Sequence, residues 1–157
     1  MIKITNLNHL VLFVSDVKRS EEFYTNTLGF KVRERLGNEA VCLHAGGSSN
    51  HHDLGLIYAG DGAQRLYAGP RIGLYHSAWE VASIDDLQDA RNELDKAGVL
   101  SGESEHGNSI SLYAKDPDGN EFEVFWMVPK EDWYSRPFGV HQLNWDKELA
   151  QYSKRKK

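Results

Sequence analysis

Apolar and polar residues near the start of the chain alternate as in a strand and then recur at three- and four-residue spacing. The run Leu7-Asn8-His9-Leu10-Val11-Leu12-Phe13-Val14 reads as a strand, and Ser15-Asp16 supplies a helix cap. Over 17–28 the residues Val17, Ser20, Phe23, Tyr24 and Leu28 fall along one side of a helix that Gly29 stops. The pattern then repeats. A strand over 74–81 leads to a cap at Ser83 or Asp85, and the helix that follows carries Leu87, Ala90, Arg91 and Leu94 before Gly98. His9 and His76, 67 residues apart, hold the same place in the two copies. Each helix is followed by three short β-like runs, at 31–36, 40–44 and 53–58 in the first half and at 102–105, 109–114 and 121–127 in the second. Gly37-Asn38, the loop 45–50 and the turn Asp116-Pro117-Asp118-Gly119-Asn120 separate them.

Strand, helix and three strands, written twice, predict an α+β fold. Two βαβββ modules related by a pseudo-twofold would form a curled mixed sheet around a cup suited to a metal. The modules fall at about 5–64 and 70–129 within one domain, 1–129, with 65–72 as the linker that contains Gly69-Pro70. Beyond Pro129 the stretch 130–157 predicts an irregular extension, partly helical near 146–153, with the basic tail Lys154-Arg155-Lys156-Lys157.

Composition narrows the function classes. A chain of 157 residues with 40% hydrophobic and 26% charged residues can build one core. Its net charge of −5 argues against nucleic acid as a partner. Cys42 is the only cysteine, so neither an internal disulfide nor a multi-thiolate zinc site can form. No apolar run is long enough to span a bilayer and the first residues lack a secretory h-region, so the expectation is a cytoplasmic protein without a membrane partner. Seven histidines and a high aromatic content point to a pocket.

The periodicity of strands places His9 with Val11 and Phe13, and His76 with Ala78 and Glu80. On the run 121–127, Phe122, Val124 and Trp126 are assigned to the helix side, while Glu121, Glu123 and Phe125 face the cup. A carboxylate aimed into an aromatic cup is costly unless ligated or paired. A lone strand histidine is ordinarily a structural residue. Two histidines and a carboxylate at matched register in duplicated modules are instead the donor set of a facial triad, which holds a divalent cation and leaves one side open. By the same repeat spacing a fourth donor belongs near position 56, where Gly55 and Leu56 supply none. Asp53 lies nearby, three residues from the expected position and so on the opposite face.

From about Leu7 to Val128 the chain resembles the glyoxalase/bleomycin resistance/dioxygenase (vicinal oxygen chelate) superfamily. The resemblance is carried by Asn8-His9-Leu10-Val11-Leu12-Phe13-Val14, Phe23-Tyr24, Leu28-Gly29-Phe30 and the stretch from Asp116-Pro117-Asp118-Gly119-Asn120 to Glu123. Within it the chain is most similar to type I extradiol ring-cleaving dioxygenases of the catechol 2,3-dioxygenase kind. The matching elements are His52-Asp53, Tyr75-His76, His106-Gly107, and Tyr113 ten residues ahead of Glu123. The resemblance implies Fe(II), with Mn(II) as the alternative, bound by His9, His76 and Glu123. It implies His52 as acid/base, and Tyr113 and His106 as groups that orient the substrate. Taken singly, His52 is a loop residue beside His51, His106 a turn residue and Tyr113 sheet packing; their joint spacing with the triad carries the site reading. His44 and His141 match no motif and are read as structural.

The implied reaction opens the ring of a small aromatic diol with O2 to a semialdehyde, with no external reductant. A homo-oligomer is expected, and Trp133, Tyr134, Phe138 and Trp145 of the extension, which lies beyond the resemblance, could close the site or form a subunit interface. Two rivals share the fold. One is a glyoxalase-type metal isomerase or thiol transferase, for which a fourth protein ligand is the usual pattern, and the other is a metal-free module that sequesters a small molecule such as a drug.

Overall fold

The computed structural model describes residues 1–64 and 72–155. The linker expected at 65–72 therefore lies outside the described residues except for Ile72, as do Lys156 and Lys157 of the tail. The chain divides into two compact units, Met1–Pro70 and Arg71–Lys157.

The first unit runs β1 (Leu10–Val14), α1 (Val17–Thr27), β2 (Lys31–Leu36), β3 (Ala40–His44) and β4 (Leu54–Tyr58). Its four-stranded sheet has the order β1-β4-β3-β2, with β1 parallel to β4 and the other pairs antiparallel. Asp16 caps α1 by accepting from the Arg19 backbone N–H at 3.0 Å, and Gly29, at φ 72°, takes the left-handed conformation that ends it. Val17, Ser20 and Tyr24 are the helix's buried side, packing with Val14, Phe30, Val41, Leu43, Leu54 and Leu56 in the unit's core.

The second unit repeats this topology with β5 (His76–Glu80), α2 (Ile84–Lys96), β6 (Leu100–Glu105), β7 (Ser109–Lys115) and β8 (Glu121–Met127), in the order β5-β8-β7-β6. Again the first strand pairs in parallel with the last and the rest are antiparallel. Of the two caps expected for α2, Ser83 is the one used, accepting from the Asp86 N–H at 3.1 Å. Ile84, Leu87 and Leu94 of α2 are fully buried, each contributing roughly 1.5–3 kcal/mol by removal from water. After β8 come a 3-10 turn, Lys130–Ser135, and α3, Trp145–Tyr152, both part of this unit.

The expected duplication thus takes the form of two four-stranded mixed sheets of identical order, neither closed into a barrel. Strands β2, β3 and β8 have the expected bounds. The runs at 7–14 and 74–81 yield shorter strands because a strand extends only as far as its partner. β1 starts where Leu10 N–H donates to the Asp53 carbonyl at 2.9 Å, and β5 starts where its partner β8 leaves the turn at Glu121. The 3-10 turn stands where irregular chain was expected, started by Pro129, whose carbonyl accepts from Asp132 N–H at 2.9 Å.

The turn before β8 sets the position of Glu123. The Asp116 carboxylate accepts from Asp118 N–H, Asn120 N–H and Asn120 Nδ2, and Gly119 at φ 75° completes the reversal. The register that follows places Glu123 opposite Tyr113 on β7 and opposite Ala78 on β5.

Candidate metal and catalytic site

Phe122, Val124 and Trp126 are buried, as the alternation predicts, which leaves Glu121, Glu123 and Phe125 on the other face of β8. His76 lies opposite Glu121 in register, yet its Nε2 reaches Glu123 Oε2 at 3.1 Å. Glu121 is engaged by the Tyr75 hydroxyl, and that carboxylate holds the phenol's proton on and raises its pKa. The His76 ring packs against Tyr75 and Tyr113, with ring centroids at 4.7 and 5.9 Å. Its Nδ1 is buried and has no hydrogen-bond partner, so the ring is oriented by this packing and by the Nε2 contact with Glu123.

Tyr113, across from Glu123, belongs to a second cluster. Its hydroxyl lies 2.7 Å from His106 Nε2, Ser104 Oγ lies 2.8 Å from the same nitrogen, and His106 Nδ1 is 3.0 Å from the Gly139 carbonyl. A carbonyl can only accept, so Nδ1 carries the proton and Nε2 of the neutral ring is an acceptor. One lone pair serves two hydroxyls. When Ser104 donates to it, the Tyr113 proton is free for another oxygen.

In the first unit His9 immediately precedes β1. Its Nδ1 is 2.9 Å from Asn8 Oδ1, which leaves Nε2 unprotonated for a cation, the arrangement in which a ligating imidazole gives its other N–H to an acceptor. Asn50 Nδ2 donates to the Asn8 carbonyl at 2.8 Å, tying this segment to the loop before β4. On that loop the His52 ring lies against His9, with centroids 4.6 Å apart and planes tilted by 37°, and Nδ1 of His51 is 3.2 Å from Nδ1 of His52.

Asp53 is what closes the loop. Its carboxylate accepts from Ala45 N–H at 2.8 Å, Ser48 Oγ at 2.5 Å and Asn50 Nδ2 at 2.9 Å, and His44 Nδ1 stands 3.3 Å away. The expectation that Asp53 faces away from the site by register does not hold. Gly55 stands opposite Val11 as Glu123 stands opposite Ala78, so Gly55 is the repeat counterpart of Glu123 and Asp53 is only two residues from it. What withdraws Asp53 from metal binding is its own set of hydrogen bonds. Gly55 supplies no donor, and a Cβ there would sit 3.3 Å from Val11 Cγ2. His44 and His141 have the structural contacts expected of them, His141 through Glu105 and the Pro137 carbonyl.

Burial alone pushes the Asp53 carboxyl up, but the bonds from Ser48, Ala45 and Asn50, with His44 adjacent, bring it net below the ordinary value. A depressed folded-state pKa stabilises the fold above the unfolded value, about 3.9 for Asp, and that contribution disappears as pH falls through the folded value. Thermal unfolding of wild type and Asp53→Asn between pH 7 and pH 2.5 is expected to show a wild-type advantage that shrinks in acid. A pH-independent difference would refute the latch.

The spacing of the His76–Glu123 pair is compatible with two ligands of one divalent cation. Atoms 3.1 Å apart match two neighbouring corners of an octahedron around an ion about 2.1 Å from each. Among the described residues of either unit, no three His, Cys, Asp or Glu side chains gather as a metal cluster. Sequence reasoning missed Ser104 and the Gly139 carbonyl. The first is signalled by the Ser-x-His spacing at the end of a strand; the second is backbone and carries no residue signal.

A model of the glyoxalase/bleomycin resistance protein/dioxygenase superfamily matches residues 6–124. The chain belongs to that superfamily. Its similarities within the superfamily are to enzymes of several kinds. It is 25% identical to metapyrocatechase 2 of Cupriavidus necator over 93% of this chain and 46% of the relative, and 30% identical to catechol-2,3-dioxygenase of Bacillus subtilis over 82% and 44%. The chain thus spans under half the length of these two relatives. It is 33% identical to glutathione transferase FosA of Serratia marcescens, over 77% of this chain and 80% of that one. Among solved structures, a superfamily domain from Frankia sp. superposes with a TM-score of 0.68 at 24% identity, covering 85% of this chain and all of that one, a likeness of fold. Among the described residues no helix is long and apolar enough to cross a membrane.

Proposed function

We propose that this member of the superfamily is an Fe(II)-dependent extradiol dioxygenase that opens the ring of a catechol-type diol with O2 to a semialdehyde. His9, His76 and Glu123 are its metal ligands in this reading, and Mn(II) is the alternative ion. The observation that carries it is the juxtaposition in the second unit of the His76–Glu123 pair with the Tyr113–His106 pair one strand away. The likeness to metapyrocatechase 2 and catechol-2,3-dioxygenase supports the substrate class.

Bound Fe(II) supplies a redox-active centre at which a closed-shell diol and triplet oxygen can react. The chain's own residues handle the protons and the orientation. The His52 imidazole takes the second hydroxyl proton of the diol and later returns it. Tyr113 donates to a substrate oxygen whenever Ser104 occupies His106 Nε2. Both oxygen atoms of O2 enter the product, so no external reductant is consumed.

The test is anaerobic loading with Fe(II) followed by catechol and air. The expected result is a yellow ring-fission product and one O2 taken up per ring opened. No uptake across a panel of substituted catechols would overturn the reading. The 33% identity to a glutathione transferase over most of that protein's length favours a second reading, thiol transfer to a small electrophile. It predicts loss of free glutathione without O2 uptake.

A further inference from the structure

We propose that the segment after β8 is a positioning strap for the His106–Tyr113 pair, with Arg136 as its anchor. The proposal rests on the dioxygenase reading only where it assigns Tyr113 to the substrate; the proton position it predicts does not depend on the reaction. The strap meets the end of β6 at three consecutive residues. Glu105 and His141 exchange backbone hydrogen bonds, Glu105 N–H to the His141 carbonyl at 3.1 Å and His141 N–H to the Glu105 carbonyl at 2.8 Å. His106 Nδ1–H donates to the Gly139 carbonyl at 3.0 Å. At Gly107, φ is +87° and a Cβ would lie 2.6 Å from the Pro137 carbonyl oxygen, so the close approach of the strap excludes any side chain there.

Arg136 holds this contact in place. Its guanidinium, only 9% exposed, makes a two-pronged pair with Glu148 of α3, at 2.9 Å for each nitrogen, and reaches Glu105 Oε1 at 3.1 Å. Glu105 Oε1 also accepts from Gly107 N–H at 2.7 Å. One planar cation therefore joins α3, the strap and the strand end next to His106, a geometry that the single point charge of lysine does not reproduce.

The chemical consequence lies in the ring. With the Gly139 carbonyl present, the neutral imidazole keeps its proton on Nδ1 and presents a lone pair at Nε2 to Tyr113 and Ser104. With the strap displaced, Nδ1 loses its acceptor and the proton moves to Nε2. The ring then donates to the Tyr113 oxygen rather than accepting its proton, and Tyr113 loses one of the two orientations of its hydroxyl. Arg136 acts through Gly139 and His106, and is a positioning residue.

The experiment is ¹⁵N NMR of the histidine rings at neutral pH in full-length protein without metal or substrate, with His106 assigned by its loss in His106→Gln. Wild type is expected to show a protonated Nδ1 and an unprotonated Nε2 in a single form. A wild-type ring protonated at Nε2 overturns the proposal outright. Arg136→Lys and Gly107→Ala, each checked for folding by circular dichroism, are expected to show a mixture of the two forms. The pair Arg136→Gln with Glu148→Gln removes both charges of the two-pronged pair, leaving Glu105 with its Gly107 N–H bond, and is expected to do the same. An unchanged single form in any folded variant also overturns it. In the oxygen-uptake assay the same variants should lose kcat on the order of 10²-fold, because a His106 ring released from the Gly139 carbonyl no longer fixes the position of the Tyr113 oxygen, whichever way its proton points. Failure of that assay in wild type would sink the reaction and leave the ring spectrum intact.

Discussion

Replacing Glu123 by Ala is expected to leave the protein unable to retain Fe(II), with ring-opening activity falling below detection. The reason is geometric. Among the described residues Glu123 Oε2 is the carboxylate oxygen that His76 approaches, at 3.1 Å, and the neighbouring Glu121 is held by Tyr75. In the first unit Gly55 occupies the corresponding position and Asp53 is committed to its loop. Two neutral imidazoles alone bind a hard divalent ion weakly. Without metal, the described partner of the largely buried Glu123 carboxylate is His76, so the variant should unfold no earlier than metal-free wild type. Metal content after desalting, measured beside thermal unfolding, checks both statements. Wild-type iron content in the variant would remove Glu123 from the ligand set.

His52→Ala is expected to separate binding from chemistry. The variant is expected to keep its iron, because the proposed ligand set does not include His52, and to lose turnover by about 10²–10⁴-fold, the range over which a positioned acid/base usually acts. The ring stacks on His9, so a loss of order at His9 is the competing explanation. His52→Phe distinguishes the two by restoring an aromatic ring without a proton to give. If His52→Phe recovers turnover, the role of His52 is packing; if both variants are slow with normal iron content, it carries the proton.

How much of this was legible in the sequence depended on whether a feature was local. Strand β8 and its two faces were readable because alternation of Phe122, Val124 and Trp126 with Glu121, Glu123 and Phe125 is a one-dimensional signal. The helix caps at Asp16 and Ser83 and the stops at Gly29 and Gly98 are likewise written within a few residues. Strand ends were not readable where the partner set them, as at Leu10 and His76. The reasoning about Asp53 failed because counting from the repeat spacing missed by one residue, and one residue reverses a strand's faces. The candidate residues His9, His76, Glu123, His52, His106 and Tyr113 could be named from spacing and resemblance together. The partners that hold His106 could not, because Gly139 contributes a carbonyl and Arg136 acts from a segment with no regular pattern.

The contact between Val11 and Gly55 also constrains how the two halves can diverge. Restoring a carboxylate at position 55 first would press a new Cβ against Val11, whose Cγ2 at 3.3 Å has to give by a few tenths of an ångström. Trimming Val11 first costs little, as that side chain is 45% exposed. A mutational path toward equal halves is therefore smoother in one order than in the other, and a library built to explore it should randomise both positions together.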